Sequence, residues 1–219
     1  MVLKDIYIKY WGQYIEQIRN NPNIEPAYPY LMVEPKGYRD KPVKVMFCGQ
    51  ETQGWGNEFD NEPEKATLEA ILGIYAGFVN NGGYNSPYWQ FINRIKKECL
   101  NASFICNNIV KIGKKRGAGC DDKINNLTLK YFPVIKEEIQ ILEPQMIIFL
   151  TGNRYFERIE KALGKFTIKN VGKGLDKLTF EDENIPISYC CYHPRYLRMN
   201  HMENDVRNSL IEIIKSLTV

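Results

Sequence analysis

The sequence predicts an α/β protein: a three-layer α/β/α sandwich with a central, mostly parallel four-stranded sheet, in one domain covering residues 1–219. Two observations predict this class. Short apolar segments alternate along the chain with longer segments whose apolar residues recur at helical spacing, as in folds built from strand–helix units. The short segments are also continuously apolar, which indicates strands covered by helices on both faces. No repeat or low-complexity linker divides the chain, so one domain is expected.

Four segments are predicted as the strands of the sheet. They are Val43–Cys48, Ser103–Val110, Gln145–Leu150 and Ile185–Tyr192. Each is rich in the branched and aromatic residues that suit a sheet interior. A weaker segment, residues 166–184, is compatible with a small hairpin.

The segments between the strands predict helices, because their apolar residues fall on one helical face. The predicted helices are Lys4–Arg19, Pro63–Val79, a helix opened by Pro87, Val134–Leu142, a helix after Gly152, and Glu203–Leu217. Proline suits the first turn of a helix, where its missing N–H has no partner to lose. Residues 21–42 are rich in proline and tyrosine and predict an irregular segment that wraps the domain.

The composition indicates a soluble globular chain, with 44% hydrophobic and 25% charged residues and a net charge of +3. This mild positive charge permits an anionic partner without requiring one. The six cysteines include no CxxC pair and there are only two histidines, so no metal centre is expected. No segment reaches the length that spans a bilayer, and no apolar signal core begins the chain. We therefore expect a cytoplasmic monomer with no membrane partner.

Polar residues stand at the end of each predicted strand. They are Glu51 after the first, Asn107 and Asn108 in the second, residues 151–153 (Thr-Gly-Asn) after the third, and residues 193–195 (His-Pro-Arg) after the fourth. The carboxyl ends of parallel strands share one edge, where open α/β sheets bind their ligands. The sequence thus predicts a crevice that gathers an acid, amides, a histidine and an arginine. Taken singly, each group also fits an ordinary strand end or helix start.

In order and rough spacing, these strand ends resemble the motifs of the uracil-DNA glycosylase superfamily over about residues 43–197. The family's Gly-Gln-Asp corresponds to residues 49–51 (Gly-Gln-Glu), and its Leu-Leu-Asn to residues 105–107 (Ile-Cys-Asn). Its His-Pro-Ser-Pro-Leu corresponds to residues 193–197 (His-Pro-Arg-Tyr-Leu). The resemblance implies a uracil-DNA glycosylase-like fold that works in base-excision repair. It would hydrolyse the N-glycosidic bond of uracil or another deaminated base, with no cofactor.

The same resemblance implies roles for five residues. Glu51 matches the acid that activates water, and His193 matches the histidine that donates a hydrogen bond to the leaving base. Gln50 would hold a base oxygen through backbone N–H groups, and Asn107 would read the base edge through its amide. Leu197 matches the apolar wedge that fills the gap left by a flipped nucleotide.

Departures from the family pattern indicate where other residues must act. Residues 52–53 (Thr-Gln) stand in place of Pro-Tyr, and Trp55 or Phe59 could supply an aromatic wall instead. Arg195 and Tyr196 stand in place of Ser-Pro, and the Arg195 guanidinium could bind a phosphate through two hydrogen bonds.

Lys114 and Lys115 lie in a basic loop that could follow a nucleic-acid backbone or could be an ordinary solvated loop. The loop lacks the GxxxxGK[ST] spacing of a phosphate-binding P-loop. The expected partner is single- or double-stranded DNA, or a nucleoside. Two alternatives remain open: a non-catalytic protein that binds a base, a nucleotide or nucleic acid, and a protein-binding domain whose crevice is closed.

Overall fold

A six-stranded sheet forms the middle layer of a computed structural model that describes residues 2–21, 23–59, 65–117 and 119–217. The strands are β1 Val43–Gly49, β2 Ala102–Asn108, β3 Met146–Phe149, β4 Phe166–Gly172, β5 Leu175–Phe180 and β6 Ile187–Cys191. Their spatial order is β2-β1-β3-β6-β5-β4. The first four in that order are parallel, and β5 and β4 add to β6 as an antiparallel hairpin. The mostly parallel sheet is confirmed, but it has six strands rather than four.

Helices cover both faces of this sheet. They are α1 Leu3–Arg19, α2 Leu68–Asn80, α3 Pro87–Glu98, α4 Asp122–Tyr131, α5 Ile135–Leu142, α6 Phe156–Leu163, α7 Pro194–Met199 and α8 Glu203–Ser216. The start of the helix predicted from Pro63 lies in residues 60–64, outside the described residues. Helix α3 begins at Pro87 as expected, with the Ser86 hydroxyl accepting the backbone N–H of Trp89. None of the described helices is long and apolar enough to cross a bilayer.

Alternate residues of each central strand pack into two separate cores. On β1, Met46 and Cys48 join the cluster covered by α1, α2, α4, α5 and α6. Val45 and Phe47 join the cluster on the opposite face, covered by α3 and α8. Burial on both faces explains why these strands are continuously apolar in the sequence.

The register of the parallel strands brings their carboxyl ends to one place. Gly49 of β1 pairs with Asn108 of β2, and Cys48 pairs with Phe149 of β3. Phe149 in turn pairs with Cys190 of β6. The residues that follow β1, β2, β3 and β6 therefore leave the sheet at the same edge.

Candidate active site

A cavity of about 590 Å³ opens at this edge, outside the carboxyl end of β1. Its polar lining includes Gln50, Glu51, Asn108 and His193. Its aromatic lining consists of Tyr30, Trp55, Phe78, Tyr84, Tyr88 and Trp89. The structure thus brings the acid and the imidazole singled out in the sequence into one aromatic-walled cavity.

Glycine is required at the end of β1 because two polar side chains close over it. A Cβ added to Gly49 would lie 2.5 Å from Oδ1 of Asn108 and 2.7 Å from the hydroxyl of Tyr88. Both distances are shorter than any real carbon–oxygen contact of this kind. Gly49 therefore leaves room for the Asn108 amide and the Tyr88 phenol beside the end of β1.

Glu51 is half-buried, and one carboxylate oxygen accepts a hydrogen bond from the hydroxyl of Tyr155. The backbone around it is fixed from two sides. The carbonyl of Gln50 accepts the N–H of Val110 at 3.0 Å, and the side-chain amide of Gln50 donates to the carbonyl of Thr151 at 3.0 Å. The Gln50 amide nitrogen is therefore engaged in holding β1 and β3 together.

His193 is placed as a neutral hydrogen-bond donor. Its Nδ1 accepts the backbone N–H of Arg195 at 3.2 Å, so the proton of the neutral ring is assigned to Nε2. Burial, and to a lesser extent the charge of Arg195, lowers the pKa of the His193 imidazole. The ring lies nearly parallel to that of Tyr88, with centroids 5.6 Å apart. These contacts fix the ring plane and favour the uncharged form.

Asn107 does not reach the cavity, which corrects the role expected for it. Its amide nitrogen donates to Glu138 at 3.0 Å, and its amide oxygen accepts from Lys111 at 2.7 Å and from the backbone N–H of Asn108 at 2.8 Å. Lys111 and Glu138 form a buried ion pair at 2.8 Å. Burial lowers the pKa of Lys111, and the Glu138 carboxylate opposes that shift. Asn107 is committed to this cluster, and its neighbour Asn108 lines the cavity instead.

Leu197 does not reach the surface either. It is 0% exposed and belongs to the core that α7 and α8 share with the sheet. An intercalating wedge must project from the surface, so the wedge role fails for this residue. Tyr196 and Met199 are the exposed large hydrophobic side chains of α7, at 47% and 70% exposure.

The remaining candidate residues divide between the cavity and its surroundings. Trp55 lines the cavity and is buried, with its ring edge-on to Tyr30 at 4.8 Å. Lys115 also lines the cavity, whereas Lys114 is not among the lining residues and its carbonyl accepts the N–H of Gly54. Arg195 is exposed in the first turn of α7.

Two functional candidates in this region were missed from the sequence. Tyr88 lies in the first turn of α3 and Tyr155 in the short 3₁₀ turn after β3. The chain has 14 tyrosines, so residue type alone did not distinguish these two from the others. A signal was present for Tyr155, because it follows the Thr-Gly-Asn ending of a central strand.

Comparison with known proteins gives one family. The model of the uracil DNA glycosylase superfamily matches residues 36–217, which include every cavity-lining residue from β1 onward. No individual curated protein matched the chain. Within the described residues, no group of three or more His, Cys, Asp or Glu side chains is placed to hold a metal ion.

Proposed function

The chain belongs to the uracil DNA glycosylase superfamily, a glycosylase-type family, and from this we propose that it hydrolyses the N-glycosidic bond of uracil or another deaminated base in DNA. The observation that carries the proposal is the shared cavity. Glu51 and His193 both line it. They follow β1 and β6, which lie on either side of β3 in the sheet.

Breaking an N-glycosidic bond leaves positive charge on the sugar and negative charge on the departing base. The Glu51 carboxylate would stabilise the sugar cation and activate the water that attacks it. The Nε2–H of His193 would donate to a base oxygen as charge develops there. A neutral imidazole serves this role because its N–H donates a hydrogen bond without adding a full charge to a buried site.

The walls of the cavity suit a planar base. Tyr88, Phe78 and Trp55 present aromatic surface, which favours stacking on any flat ring system. The amide of Asn108 offers one donor group and one acceptor, the combination needed to read a carbonyl beside a ring N–H. We assign base reading to Asn108 in place of Asn107.

Positively charged side chains beside the cavity would contact the phosphates of the DNA backbone. Lys115 lines the cavity and Arg195 is exposed at its His193 side. Contacts of this kind position the strand without reading its sequence and make binding depend on salt.

The test uses oligonucleotides, single- and double-stranded, that carry uracil, hypoxanthine, xanthine or mismatched thymine, and detects abasic sites after incubation. We expect cleavage of at least one substrate and a 100-fold or larger loss of rate in His193→Ala, on the scale of losing one oxyanion donor.

The matched control is His201→Asn, at the chain's other histidine, which is exposed and has φ 55°. Asparagine tolerates that left-handed conformation, so this variant should keep full activity. Equal rates for His193→Ala and the parent would remove His193 from the mechanism. Tight base binding with no abasic sites on any substrate would instead favour a non-catalytic binding protein.

A further inference from the structure

The carboxylate of Glu51 is held by a side chain from the turn that follows the neighbouring strand β3. The hydroxyl of Tyr155 donates a hydrogen bond to Oε2 of Glu51, across 104 residues of sequence. Glu51 lines the cavity, whereas Tyr155 is not among the lining residues and is only 9% exposed. The phenol therefore approaches the carboxylate from the protein side rather than from the cavity.

Tyr155 is itself held by the turn that carries it and by Arg158, which lies over its ring. It ends the 3₁₀ turn after β3, where Gly152 has φ 72° and where a Cβ would lie 3.2 Å from the ring of Tyr192. The guanidinium of Arg158 lies over its ring at 5.4 Å from the centroid. Arg158 is held in turn by Asp122 at 2.7 Å.

A glutamate needs such a restraint if it is to act at a defined point. Its side chain has three rotatable bonds, and displacement of a reacting group by about 1 Å can cost on the order of 100-fold in rate. A hydrogen bond from a fixed phenol to one oxygen removes most of that freedom.

We propose that Tyr155 is a positioning residue that orients the Glu51 carboxylate toward the reacting sugar. This inference rests on the proposed function, in which Glu51 activates water. Tyr155 touches neither substrate nor water in this role. Burial, and then the Glu51 hydrogen bond, raises the pKa of Tyr155 above its usual range, so the phenol keeps its proton and acts only as a donor.

The first test is Tyr155→Phe, which removes the hydroxyl and keeps the ring. We expect kcat to fall 10- to 100-fold while KM stays within about twofold, because Tyr155 does not contact the substrate. The matched control is Tyr10→Phe, which removes another tyrosine hydroxyl that donates to a carboxylate, that of Glu137, on α1 and α5. This control should leave both constants unchanged. A parallel loss in Tyr10→Phe, or no loss of kcat in Tyr155→Phe, would overturn the proposal.

A double-mutant cycle distinguishes positioning from a general structural effect. Glu51→Asp shortens the side chain by one bond, roughly 1.5 Å, and withdraws the carboxylate from Tyr155. Tyr155→Phe should then change kcat less than threefold in the Glu51→Asp background. The same 10- to 100-fold loss in both backgrounds would contradict positioning.

A parent protein that turns over no substrate would count against the proposed function, and the contact between the two residues is tested without turnover. Urea unfolding of the parent, Tyr155→Phe, Glu51→Ala and the double variant gives midpoints for a second cycle. Midpoint shifts that are smaller in the double variant than the sum of the single shifts support the contact. Fully additive shifts refute it.

Discussion

Replacing Lys111 by methionine should lower the free energy of unfolding by about 3–5 kcal/mol, because it leaves a buried carboxylate without its cation. Lys111 is 1% exposed and Glu138 is 0% exposed, with 2.8 Å between Nζ and Oε1. Methionine matches the length of the lysine stem, so the change removes charge rather than volume. The substitution also takes a donor from the amide oxygen of Asn107, which favours the upper part of that range.

The remaining partners of Glu138 cannot replace the lost charge. Tyr7 donates to it at 2.7 Å and Asn107 at 3.0 Å, but both are neutral. A cost of this size is a large fraction of the 5–15 kcal/mol that is typical of a folded domain. Since the cluster also anchors the residue before Asn108, the cavity wall depends on it.

The assay is a urea unfolding titration at one pH, in which circular dichroism measures the folded fraction. The control is Lys161→Met, which makes the same substitution at an exposed ion pair with Glu157, 2.7 Å apart on one helix. Exposed pairs of this spacing contribute about 0.3–0.5 kcal/mol, so the control should change little. A Lys111→Met protein that loses no more stability than the control would refute the role assigned to the buried cluster.

Two further predictions concern the cavity. Because burial lowers the pKa of His193, the rate should stay constant as the pH falls below about 6.5 and should decline only as the pH passes through the lower pKa of the folded protein. The folded state prefers the neutral ring, and this preference stabilises the fold above about pH 6.5. That stabilisation is lost as the pH falls through the same lower pKa. A pH–rate profile that already falls above pH 6.5 would contradict the neutral-donor assignment. Gly49→Ala should destabilise the protein by about 1–3 kcal/mol and weaken uracil binding, because its Cβ meets Asn108 and Tyr88. The control Gly73→Ala has open space on α2 and should be neutral or slightly stabilising, so equal unfolding midpoints for the two variants would rule out the crowding at Gly49.

The central strands were predictable because burial on both faces requires a run of consecutive apolar residues, which is visible in the sequence. Met146–Phe149 is apolar along its whole length and Val43–Gly49 is apolar apart from Lys44, since helices cover both strands on each side. The hairpin was weaker in sequence because β4 is exposed along most of its length and carries no apolar run. Strand β4 also lies at one of the two edges of the sheet, where charged and polar residues are usual.

Helix α4 escaped prediction for a similar reason. Its buried face is made of Ile124, Asn125 and Thr128 rather than an apolar stripe. Its start was readable, because Asp121 accepts the backbone N–H groups of Lys123 and Ile124. A capping aspartate alone is a weak signal without the periodic apolar residues that normally follow it.

The location of the site at the carboxyl edge of the sheet was predictable from the sequence. Which side chains line the cavity was not. Neighbouring residues of a strand point to opposite faces, so Asn107 and Asn108 separate into a buried cluster and a cavity wall. Sequence order could not reveal that Lys111 and Glu138, 27 residues apart, would occupy the first of these amides. Likewise, the burial of Leu197 depends on the packing of α7 against the sheet, which no local pattern reports.

The most direct measurement is the release of free base from a uracil-containing single strand by the unaltered protein, followed by chromatography. If the cavity that joins Glu51 and His193 breaks the N-glycosidic bond, free uracil and abasic strand will appear in equal amounts and rise with time. If the strand stays intact while it is bound, and no free base is released from any deaminated substrate, the cavity holds a base without cleaving it.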